Sequence, residues 1–139
     1  MKKLINTAFI YVIAAISCGV FYREFTKFMG FEGRTALAFT HLHLFVLGTV
    51  IFLLLASFTV QTDLTEQKRF KAFFTLYNIG LPFMVIMLII RGVLQVMKVP
   101  LSTGANAAIS GIAGIAHIIL TAAIVLLFTC LKKLSVKNA

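Results

Sequence analysis

The sequence predicts an all-α membrane protein of four helices, and three observations carry this prediction. The chain of 139 residues is 60% hydrophobic and only 12% charged, whereas soluble domains are about 45–50% apolar and about 25% charged. Four apolar stretches, each at least as long as the ~20 residues that a helix needs to cross a bilayer, occupy most of the chain. Short polar segments separate these stretches. We therefore expect residues 1–139 to form one transmembrane domain, an integral membrane four-helix bundle.

The first helix is expected at about residues 4–22. Lys2 and Lys3 precede it, and a basic start followed by an apolar run is also typical of a signal peptide. However, the apolar run continues past Cys18 to Phe21 and is therefore longer than the roughly 7–15 residues of a signal core. We expect this helix to remain in the protein as its first span.

The other helices are expected at about residues 36–60, 70–97 and 104–131. Pro100 ends the third helix because proline cannot continue it, and either Ser102 or Thr103 can cap the fourth. The three connections are short, as expected for neighbouring antiparallel helices in a small bundle.

The basic residues predict topology rather than nucleic-acid binding. The net charge is +9, but the Lys and Arg residues lie near the ends of the apolar stretches and not along a polar face. Eight of them belong to the side that holds both termini and the second loop, namely Lys2, Lys3, Lys68, Arg69, Lys71, Lys132, Lys133 and Lys137. Five belong to the other side, namely Arg23, Lys27, Arg34, Arg91 and Lys98. By the positive-inside rule, both termini are expected in the cytoplasm.

Helical periodicity puts small and weakly polar residues on one face of the fourth helix. Residues three, four and seven apart share a face, and this face contains Ala107, Ser110, Gly111, Gly114, His117 and Thr121. On the second helix His41 shares a face with Gly48, whereas His43 lies about 160° away. Small residues of this kind mark contacts between packed membrane helices, and a face that also holds a histidine is a candidate binding site.

Four ionisable residues lie within the predicted spans: His41, His43, Arg91 and His117. A charged side chain inside a span costs about 2.5–3.5 kcal/mol on insertion scales, so such residues usually have a function or a partner. Arg91 is close enough to the outer surface to extend its guanidinium towards water. At 1.5 Å per residue, His41 and His43 are expected roughly 8–10 Å below that surface and His117 about 14–18 Å below it.

These residues favour a haem b site. The four acidic residues, Glu24, Glu32, Asp63 and Glu66, are all in loops, so no span has the carboxylate that acid/base catalysis or a carboxylate metal site would require. A haem between helices needs one imidazole from each side, small residues beside the ring and a cation near the propionates. We expect His41 or His43 and His117 to be the metal ligands, with His41 and His117 favoured as the pair within one bundle because His41 shares the face of Gly48. Tyr22 is a further candidate cofactor-binding residue. Such a protein would pass electrons, sense a diatomic gas or handle haem for a partner. Gly48, Gly111 and Gly114 would clear space for the ring, and Arg91 or Arg23 would pair with the propionates.

Three alternatives remain open at this point. The histidines could instead hydrogen-bond to tyrosines such as Tyr11, Tyr22 or Tyr77 with no metal present. A small transporter or channel subunit could use His41, His43, Arg91 and Tyr77 as a polar path. A structural or assembly protein could dock its Gly-rich fourth helix on another membrane protein.

Two resemblances add to this interpretation. The run from Thr40 to Gly48 resembles the H-x-H helix of the large subunit of haem-copper oxidases and nitric oxide reductases, in which the two histidines hold different haems. This resemblance implies that His43, rather than His41, pairs with His117. If His43 is not a ligand inside one bundle, it would face a second copy, which gives a homodimer or larger membrane complex with shared sites.

The whole chain is also similar to an uncharacterised family of small four-span bacterial membrane proteins. This second resemblance implies a multi-pass protein of the bacterial cytoplasmic membrane, but it implies no activity.

Overall fold

A computed structural model describes residues 1–137, with side chains described to residue 134. It contains four long helices: α1 (Lys2–Phe28), α2 (Leu37–Phe58), α3 (Lys68–Val96) and α4 (Thr103–Lys137). A short 3-10 helix (Leu64–Glu66) precedes α3, and the described residues include no strand. All four long helices are long and apolar enough to cross a membrane. The predicted all-α fold is confirmed, and the architecture is compatible with a multi-pass membrane protein.

Helix α1 ends later than the sequence predicted, at Phe28 instead of about residue 22. Charged residues begin at Arg23 and had indicated a loop. A helix can continue into the polar interface, however, because its backbone hydrogen bonds do not depend on apolar side chains. Gly30 follows with φ of 58°, a left-handed conformation that glycine adopts without steric cost and that commonly follows a helix end.

Helix α2 is α-helical from Leu37 to His43, π-helical from Leu44 to Val50 and α-helical again from Ile51 to Phe58. The wider π turn changes the angle between successive side chains. Periodicity at 3.6 residues per turn is therefore shifted across this segment. His41 and Gly48 nevertheless both lie against α1, at Gly19 and Tyr11 respectively, as their predicted common face requires.

The helices pack chiefly on their neighbours in sequence, with α1 on α2, α2 on α3 and α3 on α4. Glycines allow two of these close approaches. A Cβ atom added at Gly92 would lie 2.5 Å from the backbone nitrogen of Leu37 in α2, and one at Gly80 would lie 3.0 Å from that of Leu120 in α4. Close backbone contact at small residues is how membrane helices associate.

The centre of the bundle is aromatic, and its two tyrosine hydroxyls are hydrogen-bonded. Phe52, Phe73 and Tyr77 are at most 1% exposed, and their rings contact one another at centroid separations of 5.1–6.5 Å. The hydroxyl of Tyr77 donates to the carbonyl of Leu47 in the π segment at 2.9 Å. The hydroxyl of Tyr11 lies 2.9 Å from the Asn78 side-chain oxygen. Burial of these hydroxyls in an apolar bundle is tolerable because each has a partner.

Candidate histidine site

The connections between helices lie at two opposite ends of the bundle. The N-terminal end holds Met1 and the connection at residues 59–67, and the distal end holds the connections at residues 29–36 and 97–102. The histidines and Arg91 all lie in the halves of their helices nearer the distal end.

The ring of His43 is held by its own helix. Its Nδ1 atom lies 2.7 Å from the carbonyl oxygen of Phe39. A carbonyl oxygen can only accept a hydrogen bond, so Nδ1 must carry the proton. In the neutral ring Nε2 then keeps its lone pair, and the side chain is partly exposed. This is the tautomer that a metal-binding histidine needs, with its second nitrogen fixed by a backbone carbonyl.

His117 has the same arrangement on α4. Its Nδ1 atom lies 2.8 Å from the carbonyl oxygen of Ala113, and the side chain is exposed. Beside it, the positions where Gly111 and Gly114 lack a side chain have no neighbouring atom within 4 Å. The face of α4 that holds His117 is therefore open, and none of the described residues covers the two glycines.

His41 is in a different environment, on the side of α2 that packs against α1. Its ring stacks on Tyr22, with centroids 6.4 Å apart and planes 14° apart, and its Cβ is 3.6 Å from the position of a Cβ at Gly19. The Nδ1 atom of His41 is buried without a hydrogen-bond partner among the described residues. The contact with Tyr22 is thus a stacking contact, not a hydrogen bond.

His43 and His117 differ in depth by about one helical turn. Close backbone approaches put Leu37 of α2 at the level of Gly92 and Leu120 of α4 at the level of Gly80. Gly80 and Gly92 are twelve residues apart on α3, so the residue of α4 at the level of Leu37 is near Ala108. His43 comes six residues after Leu37 and His117 nine after Ala108, which at 1.5 Å per residue puts them about 9 Å and about 14 Å deeper.

Arg91 points to α4, on the distal side of His117. Its guanidinium donates to Ser110 and also to the side-chain oxygen of Asn106 at 3.3 Å. Arg23 is instead a surface residue, with its side chain 80% exposed and 3.8 Å from Glu24. Sequence reasoning did not include Asn106, although its position four residues before Ser110 on the same helix face was a usable signal.

Other predicted site residues have different neighbours. A Cβ at Gly48 would lie 2.5 Å from Cγ of Tyr11, so the space that we expected a haem to use is filled by the Tyr11 ring. Tyr11 and Tyr77 bond to Asn78 and Leu47, not to a histidine. Within the part of the chain that the structure describes, no three or more His, Cys, Asp or Glu residues lie close enough together to hold a metal ion.

The histidine-bearing faces are thus separate within one chain. His41 faces α1, whereas His117 is on the open face of α4. The sequence favours His41 and His117 as a pair inside one bundle, but these two residues lie on different faces. The polar path of a transporter stays a prediction that none of these contacts favours.

The four long, apolar helices make the chain compatible with the class of small, all-helical, multi-pass membrane proteins. The chain belongs to the family described as "Protein of unknown function (DUF2871)", whose model matches residues 1–134. No curated protein and no solved structure matched the chain. The expected membership of an uncharacterised family is confirmed, while the resemblance of Thr40–Gly48 to an oxidase helix stays a prediction.

Proposed function

We propose that this protein binds haem b between copies of itself in the bacterial cytoplasmic membrane, with both termini in the cytoplasm. His117 of one copy and His43 of the next would hold the haem iron. The observation that carries the proposal is the common arrangement of these two histidines. Both have Nδ1 fixed by a carbonyl of their own helix, and both are at least partly exposed.

The exposed imidazole of His117 needs a partner chain or a ligand that separates it from the lipid. The residue lies near the middle of the 32-residue α4 span (Thr103–Leu134) and is exposed. Ionisable side chains within membrane spans almost always face the bundle interior, a partner or a water-filled cavity, because hydrocarbon does not solvate them. A single chain surrounded by lipid would leave this imidazole in the acyl region. We infer that the open face of α4 is covered in the functional assembly.

A second copy of this chain is the proposed cover. Membrane protein copies that share one orientation are related by rotation about the membrane normal, and such a rotation keeps every residue at its own depth. His43 and His117 are about 9 Å and about 14 Å from the level of Leu37, a difference of about one helical turn. The two side chains would have to lean towards each other along their helices by this distance to hold one iron.

The surroundings of His117 also suit a haem. The open glycines Gly111 and Gly114 leave room for a flat ring close to the α4 backbone. Arg91, on the distal side, offers a guanidinium for the propionates. A haem iron with two histidine ligands has no vacant position for a gas, so this ligand set favours one-electron transfer over gas sensing.

The first test is the absorption spectrum of the protein purified from haem-replete cells. We expect a haem spectrum that His43→Ala and His117→Ala each abolish. His41→Ala is the matched control and should keep the spectrum, because His41 faces α1. Colourless wild-type protein from such cells would reject the proposal, and loss of haem in His41→Ala alone would reject the ligand assignment.

Complementation tests whether the site lies between copies. Each single variant lacks haem, but a mixed dimer of the His43→Ala and His117→Ala chains retains one site with both wild-type ligands. We expect tandem purification of two differently tagged chains to recover haem from cells that express both variants. If both ligands came from one chain, the mixed dimer would remain colourless.

A second candidate function uses the same surface without haem. The open glycines of α4 would also allow another membrane helix to dock closely, as in a structural or assembly protein. In that case Gly114→Leu would disrupt a complex formed by colourless protein, while the His117→Ala variant would still assemble. The spectrum therefore separates the two functions.

A further inference from the structure

At the N-terminal end of the bundle, opposite the histidines, a cavity of about 440 Å³ lies between the beginnings of α1 and α3. Its lining combines basic, hydroxyl and aromatic side chains, among them Lys3, Thr65, Phe70, Lys71, Phe74 and Thr75. None of these residues belongs to the histidine site. We propose that this cavity binds the phosphate group of an anionic phospholipid.

The cationic groups of the cavity are positioned without carboxylate partners. The Lys3 ammonium lies 4.0 Å from the centroid of the Phe74 ring, a cation–π contact that orients the side chain over the cavity wall. Neither Lys3 nor Lys71 has an ion pair among the described residues. Their charges are therefore available to an anion.

One of the two threonine hydroxyls in the lining, that of Thr65, is available to donate a hydrogen bond to an anion. Thr75 uses its hydroxyl hydrogen on the carbonyl of Lys71, at 3.1 Å. Thr65 has no such bond among the described contacts, so its hydroxyl can donate to a phosphate oxygen. Two ammonium groups and one hydroxyl are the kind of donor set that phosphate groups require.

Neighbouring charges also favour an anion. Lys2, Lys68 and Arg69 lie next to the lining residues in sequence, whereas the acidic residues of this end are Asp63 and Glu66 in the adjacent connection. The first turns of α1 and α3 contain no acidic residue. Basic residues therefore outnumber acidic ones around the cavity.

The apolar part of the lining identifies a lipid rather than a soluble phosphate as the ligand. Leu4, Phe70 and Phe74 form the inner wall, at the level where the apolar parts of α1 and α3 begin. A site with cations at the water side and aromatic rings at the membrane side matches a phospholipid, whose phosphate and acyl chains lie at these two levels. Basic pockets between membrane helices bind anionic headgroups in this way.

The experiment uses the full-length protein in nanodiscs of phosphatidylcholine with and without phosphatidylglycerol. Native mass spectrometry after mild release should show retained phosphatidylglycerol on the wild type. The double variant Lys3→Gln/Lys71→Gln should retain about tenfold less, because each basic residue contributes to anionic lipid binding. The matched control Lys2→Gln/Lys68→Gln removes the same charge from residues that do not line the cavity, and it should behave as the wild type.

Three results would overturn the proposal. Equal losses in the two double variants would indicate diffuse attraction to the surface, and full retention in Lys3→Gln/Lys71→Gln would show that the lipid binds elsewhere. Displacement of the lipid by inorganic phosphate alone would identify a soluble anion as the ligand. Circular dichroism of each variant checks that its helices remain folded. Since the haem spectrum is not the readout, the outcome is independent of the haem proposal.

Discussion

Gly92 is where the beginning of α2 lies closest to α3, and its replacement by alanine is a demanding test of the packing. The added Cβ would lie 2.5 Å from the backbone nitrogen and 2.6 Å from Cγ of Leu37. Because the first of these atoms is backbone, the clash cannot be relieved by a side-chain rotation, and α2 must move away. Thr35 would then lose its 3.0 Å hydrogen bond to the carbonyl of Gly92.

The expected loss of stability in Gly92→Ala follows from the steric clash and the lost hydrogen bond. Overpacking of a close contact typically costs about 1–3 kcal/mol, and loss of a buried hydrogen bond about 1 kcal/mol. We therefore expect Gly92→Ala to lower the free energy of unfolding by about 2–4 kcal/mol. The measurement is unfolding from a mild detergent by added denaturing detergent, followed by circular dichroism.

The matched control is Gly104→Ala. Nothing lies within 4 Å of the added Cβ at this position, so the stability of this variant should stay within about 0.5 kcal/mol of the wild type. Wild-type stability of Gly92→Ala, or an equal loss in Gly104→Ala, would refute the packing derived for α2 on α3.

Further predictions concern the polar contacts of the bundle. Tyr77→Phe removes the donor to the Leu47 carbonyl and should destabilise the protein by about 1 kcal/mol in the same assay; an unchanged midpoint would argue against this bond. A double-mutant cycle of Tyr11→Phe and Asn78→Leu should give a coupling of about 0.5–1.5 kcal/mol, because their side chains are hydrogen-bonded, and additive effects would contradict that contact. Arg91→Gln should leave the haem spectrum in place but speed the transfer of haem to an acceptor protein, since the proposed partner of the propionates is lost. An unchanged transfer rate would exclude Arg91 from that role.

Hydropathy predicted the helices because the membrane imposes a length and a composition on each span. The ends were less predictable. Helix α1 continues through charged residues to Phe28, outside the apolar window, where hydropathy carries no information about helix formation. Gln67, which precedes α3, adopts an extended conformation that local propensity does not determine either.

The sequence could predict which types of residue the candidate site contains, but not which histidine of α2 would pair with His117. A wheel of fixed pitch located the face of Ser110, Gly111, Gly114 and His117 correctly, because α4 is a regular helix. It did not indicate whether that face is covered, since small residues occur both in helix contacts and beside cofactors. On α2 the wheel put His41 and Gly48 on one side, and both lie against α1 although a π segment follows His43. The environment of His41 depends on Tyr22 and Gly19 of another helix. The local pattern does not contain that information.

The packing of each helix chiefly on its neighbour in sequence has a consequence for biosynthesis. A hairpin can close as soon as its second helix enters the membrane, since most of its partners have already been made, and local pairings of this kind form quickly. The order of synthesis is then also the order of assembly. It leaves α1 and α4, the first and last helices to arrive, less buried than the two middle helices, and so with the most surface for later association with other chains.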